Sequence, residues 1–157
     1  MKKMIISFLL LTIIIISGSY IIYNNKTLML KKQIGTNIEY QFGNMKITAE
    51  EFKTYLENTH NIQNKDLYIF KGEFIKDRNL YQLYTLDGSG TYECYVNIIK
   101  NINLCIENNN TDKVKADIIG ELDKIISFNI ELKKQASLQG DYYINWYNYY
   151  NNGKLRK

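Results

Sequence analysis

Residues 4–25 read MIISFLLLTIIIISGSYIIYNN and contain no charged side chain. An α-helix over these 22 positions would be about 33 Å long, close to the ~30 Å thickness of the hydrocarbon core of a bilayer. A buried helix of a globular domain is a poor alternative, because the segment offers no polar face to water. The sequence therefore predicts a membrane helix near the N-terminus.

Residues 1–25 permit two interpretations, a cleaved signal peptide or an uncleaved signal anchor. Small residues at 17–19 are typical of a cleavage site. The apolar run continues past that site to Tyr23, which favours the anchor. Lysines stand on both sides of the segment, so the positive-inside rule does not choose an orientation. Either way the remainder is exported, and we expect a single-pass membrane protein with an extracytoplasmic domain, or a secreted domain if cleavage occurs.

The formal net charge of +4 is not spread evenly along the chain. The first 32 residues hold five lysines and no acidic residue, which leaves 15 basic and 16 acidic residues in the remainder. A domain that binds nucleic acid needs a clustered basic face to neutralise phosphates. Nucleic acid is therefore not an expected partner, whereas a membrane and a protein of the bacterial envelope are.

Residues 26–36 are predicted to form a juxtamembrane spacer, followed by a small domain over residues 37–140. Residues 37–42 alternate weakly and favour a first strand. Thr48 and Glu51 then form a capping box, which predicts that a helix begins there.

Beyond that helix the pattern changes to one typical of strands, rich in aromatic and β-branched residues between turn signals. The predicted strands are residues 67–76, 80–86, 92–98 and 102–106, with a turn predicted at Asp77, Arg78 and Asn79. The expected fold class is α+β: an N-terminal transmembrane or signal helix, then an antiparallel β-meander of four to five strands packed with one or two helices.

Residues 112–137 carry apolar side chains at helical spacing and predict an amphipathic helix. This helix is expected to pack on the sheet, and a coiled-coil contact with a partner is the alternative.

A Tyr- and Asn-rich C-terminal tail follows at residues 141–157. Its aromatic side chains favour either a partner-binding platform or one half-buried strand of a hairpin. The candidate binding residues are Tyr142, Tyr143, Trp146, Tyr147, Tyr149 and Tyr150.

The inventory of reactive side chains is small. His60 is the only histidine, and it lies at a predicted helix end among polar neighbours. Cys94 and Cys105 are the only cysteines, too few with one remote histidine for a tetrahedral metal site. Strand parity would point the two thiols to opposite faces of a sheet, although a one-residue register slip would allow a disulfide, which stays open. No catalytic residue, metal or cofactor is predicted.

The sequence Ile47-Thr48-Ala49-Glu50-Glu51, with a helix, predicted strands and Tyr92-Glu93-Cys94-Tyr95-Val96-Asn97 after it, resembles a PepSY domain over residues 46–107. Phe52 and Asn97 replace an Ala and an Asp that are usual in that family. The resemblance implies a non-catalytic module of the cell envelope, associated with peptidase propeptides and with the regulation of peptidases.

Residues 146–155, WYNYYNNGKL, are similar to a single MORN-type repeat of the bacterial kind. Such repeats bury their faces by stacking, so one unit by itself does not form a core.

The expected function is that of a membrane-tethered, extracytoplasmic, non-catalytic binding or regulatory domain with a peptidase among its expected targets. An accessory subunit of a bacterial secretion, conjugation or other envelope complex would share this layout. A structural surface protein with Tyr-rich repeats is a further alternative. A hydrolase is the least favoured, because the sequence offers few nucleophiles and bases.

Overall fold

The computed structural model describes residues 2–84, 90–108, 111–138 and 140–152. Within these ranges the regular elements are five α-helices, and no strand is present. The helices are α1 (Lys2–Asn58), α2 (Asn64–Tyr84), α3 (Thr91–Asn108), α4 (Thr111–Ser137) and α5 (Tyr142–Asn152).

The prediction of an α+β fold with a β-meander is wrong. Residues 67–76 and 80–84 of the predicted strands lie in α2, residues 92–98 and 102–106 lie in α3, and residues 85–86 lie outside the described part of the chain. The apolar residues of these segments also recur at helical spacing.

In α2 the side chains of Leu67, Phe74 and Tyr81 recur every seven residues and are all buried. Some of the aromatic and β-branched residues that suggested strands, such as Phe74 and Tyr95, form the inner face of a helical bundle, whereas Tyr68 and Ile69 are exposed. Tertiary packing overrides their β-propensity.

Helix α1 is continuous from the predicted membrane segment into the core of the bundle. It includes residues 26–36, the predicted spacer, and residues 37–42, the predicted first strand. No helix begins at the capping box at Thr48, because α1 is already helical before that residue. The next residue, Ala49, is fully buried in the core. With no proline in the chain, nothing forces an interruption.

The second half of α1 forms an antiparallel bundle with α2, α3 and α4. Phe52 of α1 packs against Phe74 of α2, with ring centroids 5.5 Å apart. Lys53 Nζ of α1 lies 2.7 Å from Asp123 Oδ1 of α4. The helices run up, down, up and down, with α1 against α2 and α4, and α3 closing the bundle between them.

Residues 142–152 are also helical, so the half-buried strand predicted there is wrong, while residues 153–157 lie outside the described part of the chain. Helix α5 packs against α1 and α4 at the end of the bundle from which the apolar part of α1 emerges. Trp146 is 2% exposed and its ring lies 5.6 Å from that of Phe42 in α1. The side-chain amide of Asn145 donates to the carbonyl of Ala136 in α4 at 2.9 Å.

The first half of α1 projects from the bundle as a stem, defined here as residues 9–34. Its large apolar side chains from Leu9 to Tyr23 are exposed to solvent in the isolated chain. Among the described residues, one helix is long and apolar enough to cross a membrane, and it is α1. Because the stem and bundle share one helix, they are joined without a flexible linker.

Candidate functional site

The six candidate aromatic residues all lie on α5, where they form two neighbouring stripes. The inner stripe faces the core and consists of Tyr142, Trp146 and Tyr149. The outer stripe lies further from the core and consists of Tyr143, Tyr147 and Tyr150. This separation follows from spacings of three and four residues along a helix. The predicted binding platform is therefore divided: the inner stripe packs against the core of the bundle, and the outer stripe faces outward.

Helix α5 follows α4 after a short connection, whose described residues Leu138, Gly140 and Asp141 we name the α4–α5 corner. Gly140 has a φ of 69°, in the left-handed region that glycine adopts without strain. Asp141 caps the new helix, because its Oδ1 accepts hydrogen bonds from the backbone N–H groups of Tyr143 and Ile144. Leu138 is 68% exposed at this corner.

Polar contacts connect the α4–α5 corner and the start of α5 to α1 at the base of the bundle. Lys32 forms an ion pair with Asp141, and this hydrogen bond is the main reason that the pKa of the carboxyl is lowered. The Lys31 ammonium lies 5.5 Å from the ring centroid of Tyr147. About two turns further along α1, the Tyr142 hydroxyl donates to Glu39 at 3.1 Å. Two lysines at the C-terminal end of the stem, Lys31 and Lys32, are thus contacted by residues at or near α5.

Gly35 allows the backbone of α5 to approach α1 closely. A Cβ at this position would overlap the carbonyl oxygen of Tyr143 and approach the backbone nitrogen of Tyr147 to 3.2 Å. Any other residue type would push the two helices apart. Sequence reasoning placed Gly35 in the spacer and did not identify it as a helix contact, because only the partner helix reveals the requirement.

A polar group is buried in the middle of the bundle. Asp77 of α2 is 4% exposed, and burial raises the pKa of its carboxyl to about 6 from an ordinary 3.8. The Thr48 hydroxyl of α1 donates to this carboxyl. Neither Asp77 Oδ2 nor the hydroxyl of Tyr95 has a hydrogen-bond partner within the described part of the chain. The sequence pattern had assigned Asp77 to a turn and so missed it.

The two cysteines are free and buried on the inner face of α3. Eleven residues of helix separate them by about 16 Å, far beyond the ~4–7 Å between Cα atoms that a disulfide requires. Burial raises the pKa of the Cys94 thiol to about 12 and also raises that of Cys105. A reactive cysteine needs a lowered pKa instead. The expectation that the thiols point to opposite faces is wrong, because eleven residues are about three helical turns.

The remaining candidate features are spread over the distal end of the bundle. His60 is exposed in the connection between α1 and α2. A shallow open depression of about 490 Å³ lies on α1 near this end, lined by Ile47, Glu50, Glu51, Thr54, Tyr55 and Asn58. Among the described residues, no group of three or more His, Cys, Asp or Glu side chains is arranged to hold a metal ion. A depression lined by one helix does not enclose a small molecule.

Comparison with protein-family models, curated proteins and solved structures finds no match for this chain. The functional argument therefore rests on the geometry of the bundle and its stem.

Proposed function

We propose that this chain is a single-pass membrane protein whose helical bundle serves as a non-catalytic binding or regulatory module on the extracytoplasmic side. One observation supports it above others: α1 is a single helix whose first half exposes apolar side chains and whose second half is buried in the bundle. An exposed apolar surface of this size is unfavourable in water and favourable in a bilayer.

The reactive side chains support a binding role over catalysis. The thiols are buried in their protonated form, and His60 lies at the opposite end of the bundle from α5. A protein partner in the envelope would contact the outer faces of the helices, where Tyr68 and Ile69 are exposed on α2. That this partner is a peptidase stays a prediction from the PepSY resemblance.

Extraction from membranes tests the anchor. The full chain is expected to stay in the membrane pellet after alkaline carbonate treatment. The double variant Ile15→Lys/Ile16→Lys places two charges in the membrane segment, each costing about 2.5–3.5 kcal/mol at the helix centre on insertion scales, and is expected to enter the supernatant. Ile15→Leu/Ile16→Leu is the matched control and should stay in the pellet. Wild-type chain with an intact N-terminus in the supernatant would refute the proposal.

Sidedness and partner binding need separate measurements. A cysteine introduced at Asn61, at the distal end of the bundle, should react in intact cells with a maleimide that does not cross membranes. The intact mass of the mature protein distinguishes the anchor from a signal peptide cleaved near residues 17–19. In-cell crosslinking from Tyr68, with recovery of one defined envelope protein, would support the binding role. Crosslinking to lipid alone would contradict it.

A further inference from the structure

Three consecutive large apolar side chains are exposed on α1 after the charge-free segment has ended. Leu28 is 46% exposed, Met29 62% and Leu30 59%. Further along α1 the exposed large apolar side chains are single residues six or seven positions apart, namely Ile34, Tyr40 and Ile47. Single apolar residues are normal on a protein surface, whereas a contiguous apolar surface indicates a region of contact.

These three side chains point in different directions around the helix. Consecutive residues of an α-helix are about 100° apart, so Leu28, Met29 and Leu30 cover an arc of about 200°. A neighbouring helix covers an arc of about 100°. One packed helix, from a partner protein or from a second copy of this chain, would therefore leave part of this surface in water. A bilayer surrounds the helix and covers all of it.

The polar residues just before this group fit the headgroup layer of a bilayer. The Thr27 hydroxyl donates to the carbonyl of Tyr23 at 2.9 Å, so it is satisfied within the helix. Lys26 has a long side chain that brings its ammonium to phosphate groups while its stem stays on apolar surface. Such a mixture of apolar and cationic side chains is typical of the interface between lipid and water.

Distances along α1 agree with this assignment. Taking Asn25 as the end of the hydrocarbon core, Leu30 lies five residues beyond it, which is about 7.5 Å along the helix. The headgroup region adds roughly 5–7 Å on each side of the hydrocarbon core. A tilt of the helix would only bring Leu30 closer to the hydrocarbon, so the assignment does not depend on the angle at which α1 crosses the bilayer.

Contacts with the bundle begin directly after Leu30. The Lys31 ammonium lies 5.5 Å from the ring centroid of Tyr147, and Lys32 forms an ion pair with Asp141. The end of the exposed apolar group and the beginning of the bundle are therefore adjacent on α1.

We propose that residues 26–30 form a collar embedded in the headgroup layer of a phospholipid bilayer, and that the bundle follows this layer without an aqueous spacer. The bilayer covers Leu28, Met29 and Leu30 on every side, and its phosphates attract Lys26 and Lys31. This inference rests on the proposed membrane anchor and adds to it the position on α1 at which the bilayer ends.

Electron paramagnetic resonance of nitroxides along α1 tests the collar. The variants Leu28→Cys, Met29→Cys and Leu30→Cys sample the three directions around the helix, each as the full chain labelled and reconstituted in phospholipid nanodiscs. Asn37→Cys and Asn61→Cys are controls at exposed positions beyond the collar. Collision with oxygen, which prefers lipid, is compared with collision with a water-soluble nickel complex.

The native thiols can stay in place during this labelling. Cys94 and Cys105 are buried, and burial raises the pKa of both, so a reagent at pH 7 modifies the introduced cysteine. The wild-type chain treated in the same way measures the background.

All three collar labels are expected to collide with the nickel complex several-fold less than the two control labels, and with oxygen more. Collar labels as accessible as the controls, in a chain that elutes with the nanodisc, would overturn the inference and leave the anchor standing. Protection of only one or two of the three would also overturn it, because a protein neighbour would then cover one side. Spin–spin broadening would identify that neighbour as a second copy. Elution of the chain apart from the nanodisc would refute the anchor as well.

Discussion

Among single residues, Asp77 is expected to make the stability of the bundle depend on pH between about 4 and 6. The folded pKa of about 6 lies above the ordinary value of 3.8, so the folded state holds its proton more tightly than the unfolded state. The free energy of unfolding therefore falls as the pH rises from about 4 to about 6 and is lowest above that range. The difference amounts to about 3 kcal/mol. Lys76 lowers this pKa and Glu73 raises it, both from the same helix.

Replacement Asp77→Asn should raise the stability of the bundle at pH 7.5 by up to about 3 kcal/mol, because it removes a buried charge and keeps the shape. It should also abolish the fall in stability between pH 4 and 6. Thermal unfolding of the full chain in mild detergent, followed by circular dichroism across pH, measures both effects. Asp117→Asn, at an exposed carboxyl of α4, should leave the pH profile unchanged. If the stability of Asp77→Asn depends on pH in the same way as that of the wild-type chain, ionisation of the Asp77 carboxyl does not destabilise the folded state.

Trp146 and Tyr150 lie four residues apart on α5 and differ in burial, at 2% and 42% exposed. Trp146→Ala should cost about 3 kcal/mol or more, because it leaves a large cavity against Phe42. Tyr150→Ala removes a ring contact with Tyr84 at the surface and should cost less than about 1 kcal/mol. Melting temperatures of the two variants give the comparison. Equal losses would mean that the predicted platform is not divided into inner and outer stripes.

At the scale of elements, the docking of α5 on α1 depends on Gly35. Gly35→Ala should separate the two helices and destabilise the bundle by about 1–3 kcal/mol, as overpacking does. Exposure of Trp146 to water should then shift its fluorescence to longer wavelength.

Gly43→Ala is the matched control on the same helix. A Cβ there meets no atom within 4 Å, so the substitution should stabilise α1 by about 0.5–1 kcal/mol through helix propensity alone. We therefore expect the two substitutions to change the free energy of unfolding in opposite directions. If both glycines tolerate alanine equally, α5 does not pack closely at Gly35.

Helices were predicted correctly where the apolar stripe was long, as in residues 112–137, which lie in α4. The segments of α2 and α3 were mistaken for strands, because short runs rich in tyrosine, isoleucine and phenylalanine satisfy both periods. Turn signals misled further, since Asp77 and its two neighbours lie inside α2. A polar residue that faces the core cannot be told from a turn residue by sequence pattern alone.

At the scale of the whole molecule, the unbroken α1 couples the orientation of the stem to that of the bundle. Gln33→Pro removes the backbone N–H that continues the helix at the junction and costs about 3 kcal/mol locally. The four-helix core should remain folded, since the large buried side chains of α1 begin at Ile38. Amide hydrogen exchange of the full chain in mild detergent should become faster around residues 33–37 in Gln33→Pro, because the helix is interrupted there. Gln33→Ala is the matched control and should keep the exchange rate of the wild-type chain. Equal exchange in both variants would mean that α1 is not continuous across the junction.

The sequence by itself predicted the one segment whose location depends on the surrounding solvent, the apolar helix near the N-terminus. The 22 consecutive uncharged and mostly apolar positions of residues 4–25 predict a membrane-length helix without reference to any other segment, because transfer from water to hydrocarbon is a property of the segment itself. Tertiary structure alone decided that the remainder is a helical bundle, that Asp77 is buried and that α5 docks at Gly35. These features depend on which helix faces pack together, and the local sequence pattern of one helix does not reveal its contacts with a distant one.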